Sequence, residues 1–350
     1  MEAIIAACPP SRRRRPRWHG WVLVTTAMFA AAAARARDGE PEALFQLGSP
    51  VDCRLGENCF VQQMPDMDAG EQAIDPLCGR ATYKGHDGWD IRVRSLQDIA
   101  LPTPVTAIAD GVVLRTRDGV PDRIYDRERD KDMRGRECGN GVLVEHAGGL
   151  ISQYCHLKMA SIGVVPGTRL KKGDSLGSIG ASGLAEFPHV HLSVRIDGRP
   201  VDPLTGRFLG MTRAACGDTN QGLFEPAVRD ALGRPASSIL SVGLTNARPE
   251  LSSFVRDGDP AAPKTSEPIV AWVWAINVEP ESLFRIRLID PDGKTIMTSQ
   301  TRSLEARKAN YLSYTGGRYA HRQGTYELQV ELVLDGHTIQ STSRFIIVQR

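Results

Sequence analysis

Cysteine occurs seven times in this 350-residue chain but never as a C-x-x-C pair. Structural zinc sites are commonly built on such close pairs, so their absence argues against a zinc knuckle. An excess of one charge is also missing. The formal net charge is +2, and residues 1–36 alone hold six Arg and one Glu, which leaves −3 for the rest of the chain. No global basic surface remains to suggest a nucleic-acid partner. Beyond residue 36 no apolar run is long enough to span a membrane, which takes about 20 residues. Residues 83–203 lack a long amphipathic helical pattern, and residues 237–350 lack any cluster of His, Cys or carboxylates. What is present is an ordinary globular composition, 41% hydrophobic and 24% charged. Disorder is therefore not expected, and the length suffices for two domains.

The first 36 residues read as an export signal. Arg12, Arg13, Arg14, Arg15 and Arg17 make a positive n-region, residues 21–34 an apolar h-region, and Ala34-Arg35-Ala36 an A-x-A-like cleavage site. This predicts a periplasmic or secreted protein with no membrane span after cleavage. An uncleaved anchor is the alternative, and the consecutive arginines also raise the twin-arginine route. With Cys8 in the signal, six cysteines remain, an even number that favours disulfides in an exported chain. Cys53 and Cys59 bracket a short loop that a bridge could close. Cys78, Cys138, Cys155 and Cys216 allow three pairings, among which the sequence does not choose.

The pattern of the remainder is all-β. Residues 37–82 are irregular and read as an N-terminal wrap. Residues 83–205 show short β runs broken by Gly turns, at 89–93, 106–114, 141–146 and 151–157, with Gly148-Gly149 as a hairpin signal. The segment 117–137 is a highly charged insertion, read as a solvated loop, with a wall of the substrate groove as the functional alternative. Residues 206–236 form a connector. Residues 237–350 hold about seven short strands, which suggests an immunoglobulin-like β-sandwich with a surface for a protein partner. Trp272 and Trp274 share a strand face there, and core packing is expected of them rather than a sugar-stacking platform.

Chemistry concentrates in two places. His86 and Asp90 fall in Gly-His-Asp-Gly-Trp-Asp, and His189 and His191 in Pro-His-Val-His-Leu. Together they supply three zinc ligands and a spare imidazole, and three protein ligands leave zinc an open position for water, as in catalytic sites. Gly85 and Gly88 argue against a helix, so a loop entering a strand must bring His86 and Asp90 together. Alternation in a strand places His189 and His191 on one face. His156, ending the run Gln153-Tyr-Cys-His, adds another imidazole suited to proton transfer near neutrality. His146, His321 and His337 are read as ordinary surface or hydrogen-bonded residues.

These motifs resemble, in order, those of the LytM/lysostaphin-type zinc metallopeptidases, which have the duplicated hybrid motif fold and cut peptide cross-links of bacterial peptidoglycan. The H-x-x-x-D segment is His86 to Asp90, the Tyr-Ala-His-Leu-like segment is Tyr154, Cys155, His156 and Leu157, and the H-x-H segment is His189 to His191. The resemblance covers about residues 83–203. It implies that His86, Asp90 and His191 bind zinc, that His156 and His189 flank the metal-bound water and the scissile carbonyl, and that the substrate is a peptidoglycan stem peptide. Two departures stand out. Cys155 replaces the usual Ala, which raises a disulfide, and Glu186-Phe187 stand before Pro188 where small residues are usual, which predicts a narrower or more selective groove. The expectation is a zinc endopeptidase. The alternatives are a catalytically silent wall-binding or amidase-activating protein, and an exported enzyme that attacks proteins instead of wall.

Overall fold

The computed structural model describes residues 45–210, 216–233, 237–265, 267–317 and 322–350. The export segment at 1–36, the first part of the 37–82 wrap and His321 lie outside them. The described chain is all-β, with antiparallel sheets and two short α-helices. In its first part run β1 (Phe60–Gln63), β2 (Trp89–Arg92), β3 (Pro104–Thr106), β4 (Gly111–Arg117), β5 (Asn140–His146), β6 (Leu150–Leu157), β7 (Arg169–Leu170), β8 (Ser175–Ser178), β9 (His189–Ile196), β10 (Arg199–Asp202) and β11 (Arg207–Phe208). The main sheet has the order β1-β2-β9-β6-β5-β4-β7; β10 pairs with β9 and carries β11, while β3 and β8 form a separate ribbon.

In β2 and β9 apolar and polar residues alternate, yet both faces are largely buried. Trp89, Ile91, Tyr154, Val190 and Leu192 point into one core, while the residues between them on the same strands face the other way. One sequence expectation changes here. The run 106–114 is not one strand, because β3 ends at Thr106 and β4 starts at Gly111. Asp110 turns the chain between them, its carboxylate accepting from Lys172 N at 2.8 Å and Lys171 Nζ at 2.7 Å.

After the helix α1 (Pro226–Leu232) come β12 (Ser238–Thr245), the helix α2 (Leu251–Asp257), β13 (Ile269–Val278), β14 (Leu283–Ile289), β15 (Thr295–Gln300), β16 (Lys308–Gly317), β17 (Gly324–Leu334) and β18 (His337–Val348). They make a three-stranded sheet, β12-β13-β16, and a four-stranded sheet, β15-β14-β17-β18. Ala271, Val273 and Ala275 from one sheet share a core with Ile286, Leu288, Leu328 and Val330 from the other. Trp272 and Trp274 alternate to the opposite face of β13. There they are buried at 1% and 0% exposure, against Phe254 of α2 and Phe60 of β1. Both indoles are packed away from solvent, which leaves no open sugar platform. Around them Gln62 Nε2 donates to Ala309 O at 3.0 Å, and Leu96 N to Val255 O at 2.8 Å.

Among the described residues three disulfides tie the chain. Cys53 is bonded to Cys59, Cys78 to Cys216, and Cys138 to Cys155. No helix among the described residues is long and apolar enough to cross a membrane. The Cys78–Cys216 bridge closes a separation of 138 residues, and a long loop is where a cross-link removes most freedom from the unfolded chain. Replacing both cysteines by Ala is expected to lower the unfolding free energy by roughly 2–5 kcal/mol, read from urea melts. The shorter Cys53–Cys59 bridge should cost less.

Candidate metal centre

The site follows from the pairing of β2 with β9. In that register Asp90 stands opposite His191 and Arg92 opposite His189, and Cys155 of β6 faces His191 from the other side. Directly paired residues share a face, so Asp90, His189 and His191 project together, away from the core of Ile91 and Val190. His86 joins them from the loop before β2. Gly88 makes that approach feasible, because a Cβ there would meet His191 Nε2 at 2.6 Å and Leu192 O at 2.5 Å.

Three donor atoms converge. His86 Nε2 is 3.3 Å from His191 Nδ1 and 3.2 Å from Asp90 Oδ1, and His191 Nδ1 is 2.9 Å from the same carboxylate oxygen. Ligands on a tetrahedral metal at about 2.0–2.1 Å lie about 3.3 Å apart, so this triangle is close to one face of such a coordination sphere. The remote ring nitrogens have partners suited to that use. His86 Nδ1 donates to Met64 O at 2.8 Å, and His191 Nε2 lies 3.2 Å from Asp87 Oδ1. These bonds put the proton on the remote nitrogen and turn the lone pair toward the triangle, the outer-shell arrangement usual for histidine ligands. His191 Nδ1 shares a proton with Asp90 Oδ1 across this gap, and a zinc ion would take the place of that proton between the three donor atoms. The residues fit a zinc ion.

Two further imidazoles border the triangle. The His189 ring is 4.5 Å from that of His156, and the His156 ring is 6.2 Å from that of His191. Strand alternation alone would turn His156 into the core beside Tyr154 and Leu157. Instead its φ is 62°, a left-handed conformation uncommon for a residue with a side chain, and this brings the ring to the site. Its neighbours hold that geometry. Cys155 is bonded to Cys138, His156 N donates to Cys138 O at 2.8 Å, and His156 Nδ1 donates to Ser182 O at 2.8 Å. Gly139, also at positive φ, lets the two segments meet, since a Cβ would overlap the Ser182 backbone. His189 Nδ1 donates to Phe187 O at 2.7 Å, so both flanking imidazoles present Nε2 to the site.

Burial dominates the electrostatics. His86, Asp90, His156 and His189 are all buried. Burial pushes the His156 imidazole well down, helped by the nearby His189 and His191, and burial lowers His189 as well. For His191 burial acts in the same sense, but the Asp87 and Asp90 carboxylates outweigh it and hold the group up at about 9. Asp90 is kept well below the usual carboxylate range, burial being overcome by the surrounding histidines.

The sequence-predicted residues His86, Asp90, His156, His189 and His191 therefore lie together. His146 does not join them; its ring is bonded to Asp110 O at 2.9 Å and Ser152 Oγ at 2.7 Å. His337 starts β18 at the far sheet. Sequence reasoning passed over Asp87, which bridges His191 and Arg195, the latter at 2.7 Å. Its place directly after His86 was the available signal. The charged insertion is mostly exposed, yet Arg123 N donates to Ala181 O at 3.1 Å and Tyr125 N to Ala185 O at 2.8 Å. It thus runs alongside the segment that leads from Ser182 to His189.

Residues 84–203 match the family model described as Peptidase family M23. Over 112 residues the chain is 32% identical to the DD-carboxypeptidase/endopeptidase Mpg of Neisseria meningitidis serogroup B, covering 31% of this chain and 21% of that protein. Over 159 residues it is 28% identical to the peptidoglycan DD-endopeptidase ShyC of Vibrio cholerae, covering 45% of this chain and 29% of that protein. The chain spans about a fifth to a third of the length of these relatives. Among solved structures, the catalytic domain of the antimicrobial peptidase lysostaphin from Staphylococcus simulans aligns at 22% identity with a TM-score of 0.24, over 34% of this chain and 76% of that one.

Two outcomes are expected for metal binding. Gly88→Ala should push the His191 ring out of the triangle and lower zinc affinity by about 10- to 100-fold, read by chelator competition. A metal must also displace the proton from His191, whose protonated form persists up to about pH 9. Zinc affinity should therefore fall about tenfold per unit as pH drops below that value, read by the same competition between pH 6 and 9.

Proposed function

With residues 84–203 matching the Peptidase family M23 model, we propose that the chain is an exported, zinc-dependent endopeptidase that hydrolyses peptide cross-links of bacterial peptidoglycan. The observation that carries this reading is the convergence of His86 Nε2, Asp90 Oδ1 and His191 Nδ1 beside two uncharged imidazoles. Similarity to a protein named as a peptidoglycan DD-endopeptidase supports the substrate class. Three disulfides support residence in an oxidising compartment.

In this reading His86, Asp90 and His191 hold the metal, and Met64 O and Asp87 fix the two ligand rings. When bound, zinc supplies a Lewis acid that polarises the scissile carbonyl and acidifies a water molecule. The protein's own part is proton handling. His156 and His189 have Nδ1–H tied to carbonyl oxygens, so each offers Nε2 as an acceptor. Their closeness makes two positive charges costly, so protonating one imidazole disfavours protonating the other. An imidazole that takes a proton from the attacking water becomes a donor. It can then bond the developing oxyanion and pass the proton to the leaving amine. Burial, which holds both groups down, makes that second transfer easy.

Digestion of cross-linked muropeptides by zinc-loaded protein, followed by mass spectrometry, tests the proposal. Wild type should convert dimers to monomers. His156→Ala should keep its zinc and lose about 10²- to 10⁴-fold in kcat, whereas His191→Ala should lose the metal itself. Zinc-loaded wild type that leaves dimers intact would sink the endopeptidase reading and favour the catalytically silent one.

A further inference from the structure

Arg92 is buried at 0% exposure on β2, two residues beyond Asp90 and opposite His189. It therefore lies on the same face as the metal-site residues. Its hydrogen bonds go to neutral oxygens. Nη1 donates to Gln62 Oε1 at 2.7 Å and to Asn310 Oδ1 at 3.4 Å, Nη2 to Arg94 O at 2.7 Å, and Nε to Val93 O at 3.0 Å. The guanidinium also sits over two aromatic rings, 4.7 Å from the centre of Phe187 and 5.3 Å from that of Trp274. Phe187 in turn packs its ring 4.5 Å from the His189 imidazole, and its carbonyl accepts the His189 Nδ1 proton.

A continuous stack thus runs from the C-terminal strands to the site: Trp274 on β13, Arg92, Phe187, His189. Removing a guanidinium from water is costly, and an apolar side chain would fill the same space at less cost. A planar cation, however, can grip an aromatic face on each side while its edge is pinned by oxygens. That combination fixes the plane of Phe187, which a flexible aliphatic chain could not do. Asn310 of β16 adds a second grip from the C-terminal strands.

We infer that Arg92 and Trp274 are positioning residues for His189, so that the C-terminal β-sandwich completes the active site by clamping Phe187. The inference rests on the endopeptidase reading for its kinetic consequence, but not for its geometric one. Position matters because a shift of about 1 Å in a catalytic group costs on the order of 10²-fold in rate. The sandwich would then be part of the catalytic unit, whatever else it binds.

The test uses full-length, zinc-loaded protein with a soluble cross-linked muropeptide dimer. Trp274→Leu and Phe187→Leu should each lower kcat by about 10- to 100-fold, with KM and zinc stoichiometry unchanged. Trp274→Phe and Phe187→Tyr, which keep an aromatic face, should restore most of the rate. The two Leu changes combined should be no worse than the more severe one, because both act through one stack. Phe187 lies at the rim of the core, so its variants keep the test open should Trp274→Leu fail to fold. A second readout needs no activity. The imidazole resonances of His189, shifted by the Phe187 ring, should move in Trp274→Leu. If wild type cleaves nothing, the functional reading fails and this resonance still decides the clamp. Folded Trp274→Leu with wild-type kcat, or with an unmoved His189 signal, would overturn it.

Discussion

The pairing of β2 with β9 is the constraint on which the rest of the site depends. Because side chains alternate along a strand, a slip of one residue would carry Asp90 into the core and bring Ile91 to the site. The register is enforced from the opposite face, where Trp89 and Ile91 of one strand pack beside Leu192 and Val190 of the other. The apolar core thus sets the position of polar groups on the opposite face of the strands. The cost of gathering a carboxylate and several imidazoles out of water is met elsewhere, by that core and by carbonyl acceptors at the ring nitrogens. Met64, Phe187 and Ser182 each supply one such carbonyl. With the remote nitrogens committed, the lone pairs have one direction left.

Much of this was legible in the sequence, for a physical reason. Side chains that must converge lie on strands or strand-entering loops, so they recur at short spacings: His86 and Asp90 four apart, His189 and His191 two apart. The all-β character was equally plain, since Gly turns punctuated short apolar runs and no helical periodicity competed with them. Other features depend on contacts between distant segments. Arg92 read as an ordinary strand residue because Phe187, Trp274 and Asn310 are brought to it only by folding. The disulfide partners of Cys78 and Cys138 were open for the same reason. The left-handed turn at His156 is a backbone property that carries no sequence mark in a non-glycine residue. The helices α1 and α2, two turns each, are too short for a periodic signal.

The arrangement also changes how the two halves of the described chain are understood. The sequence suggested a catalytic region and an accessory sandwich separated by a connector at 206–236. The structure puts Phe60 of β1 into a cluster with Trp272, Trp274 and Phe254, and lets Asn277 donate to the carbonyls of Val61 and Gln62. These contacts are apolar and hydrogen-bonded rather than ionic, so salt screens them little. They reach the strand that neighbours the metal-site residues.

The residues of the centre ride on elements of unequal permanence. His189 and His191 belong to a strand paired on both sides, by β2 and β6. Amide protons in such a strand exchange with solvent mainly through global unfolding. His86 sits on a loop outside any strand ladder, tied by its N to Tyr83 O, by Asp66 N to its O, by Gly85 N to Asp66 Oδ2, by Asp87 to Arg195 and by its ring to Met64 O. Segments of that kind open locally, many times within the lifetime of the fold. One part of the centre therefore lasts as long as the native state, and the other can breathe. An ion bound there would be deeply covered, and its route in and out would follow the part that breathes.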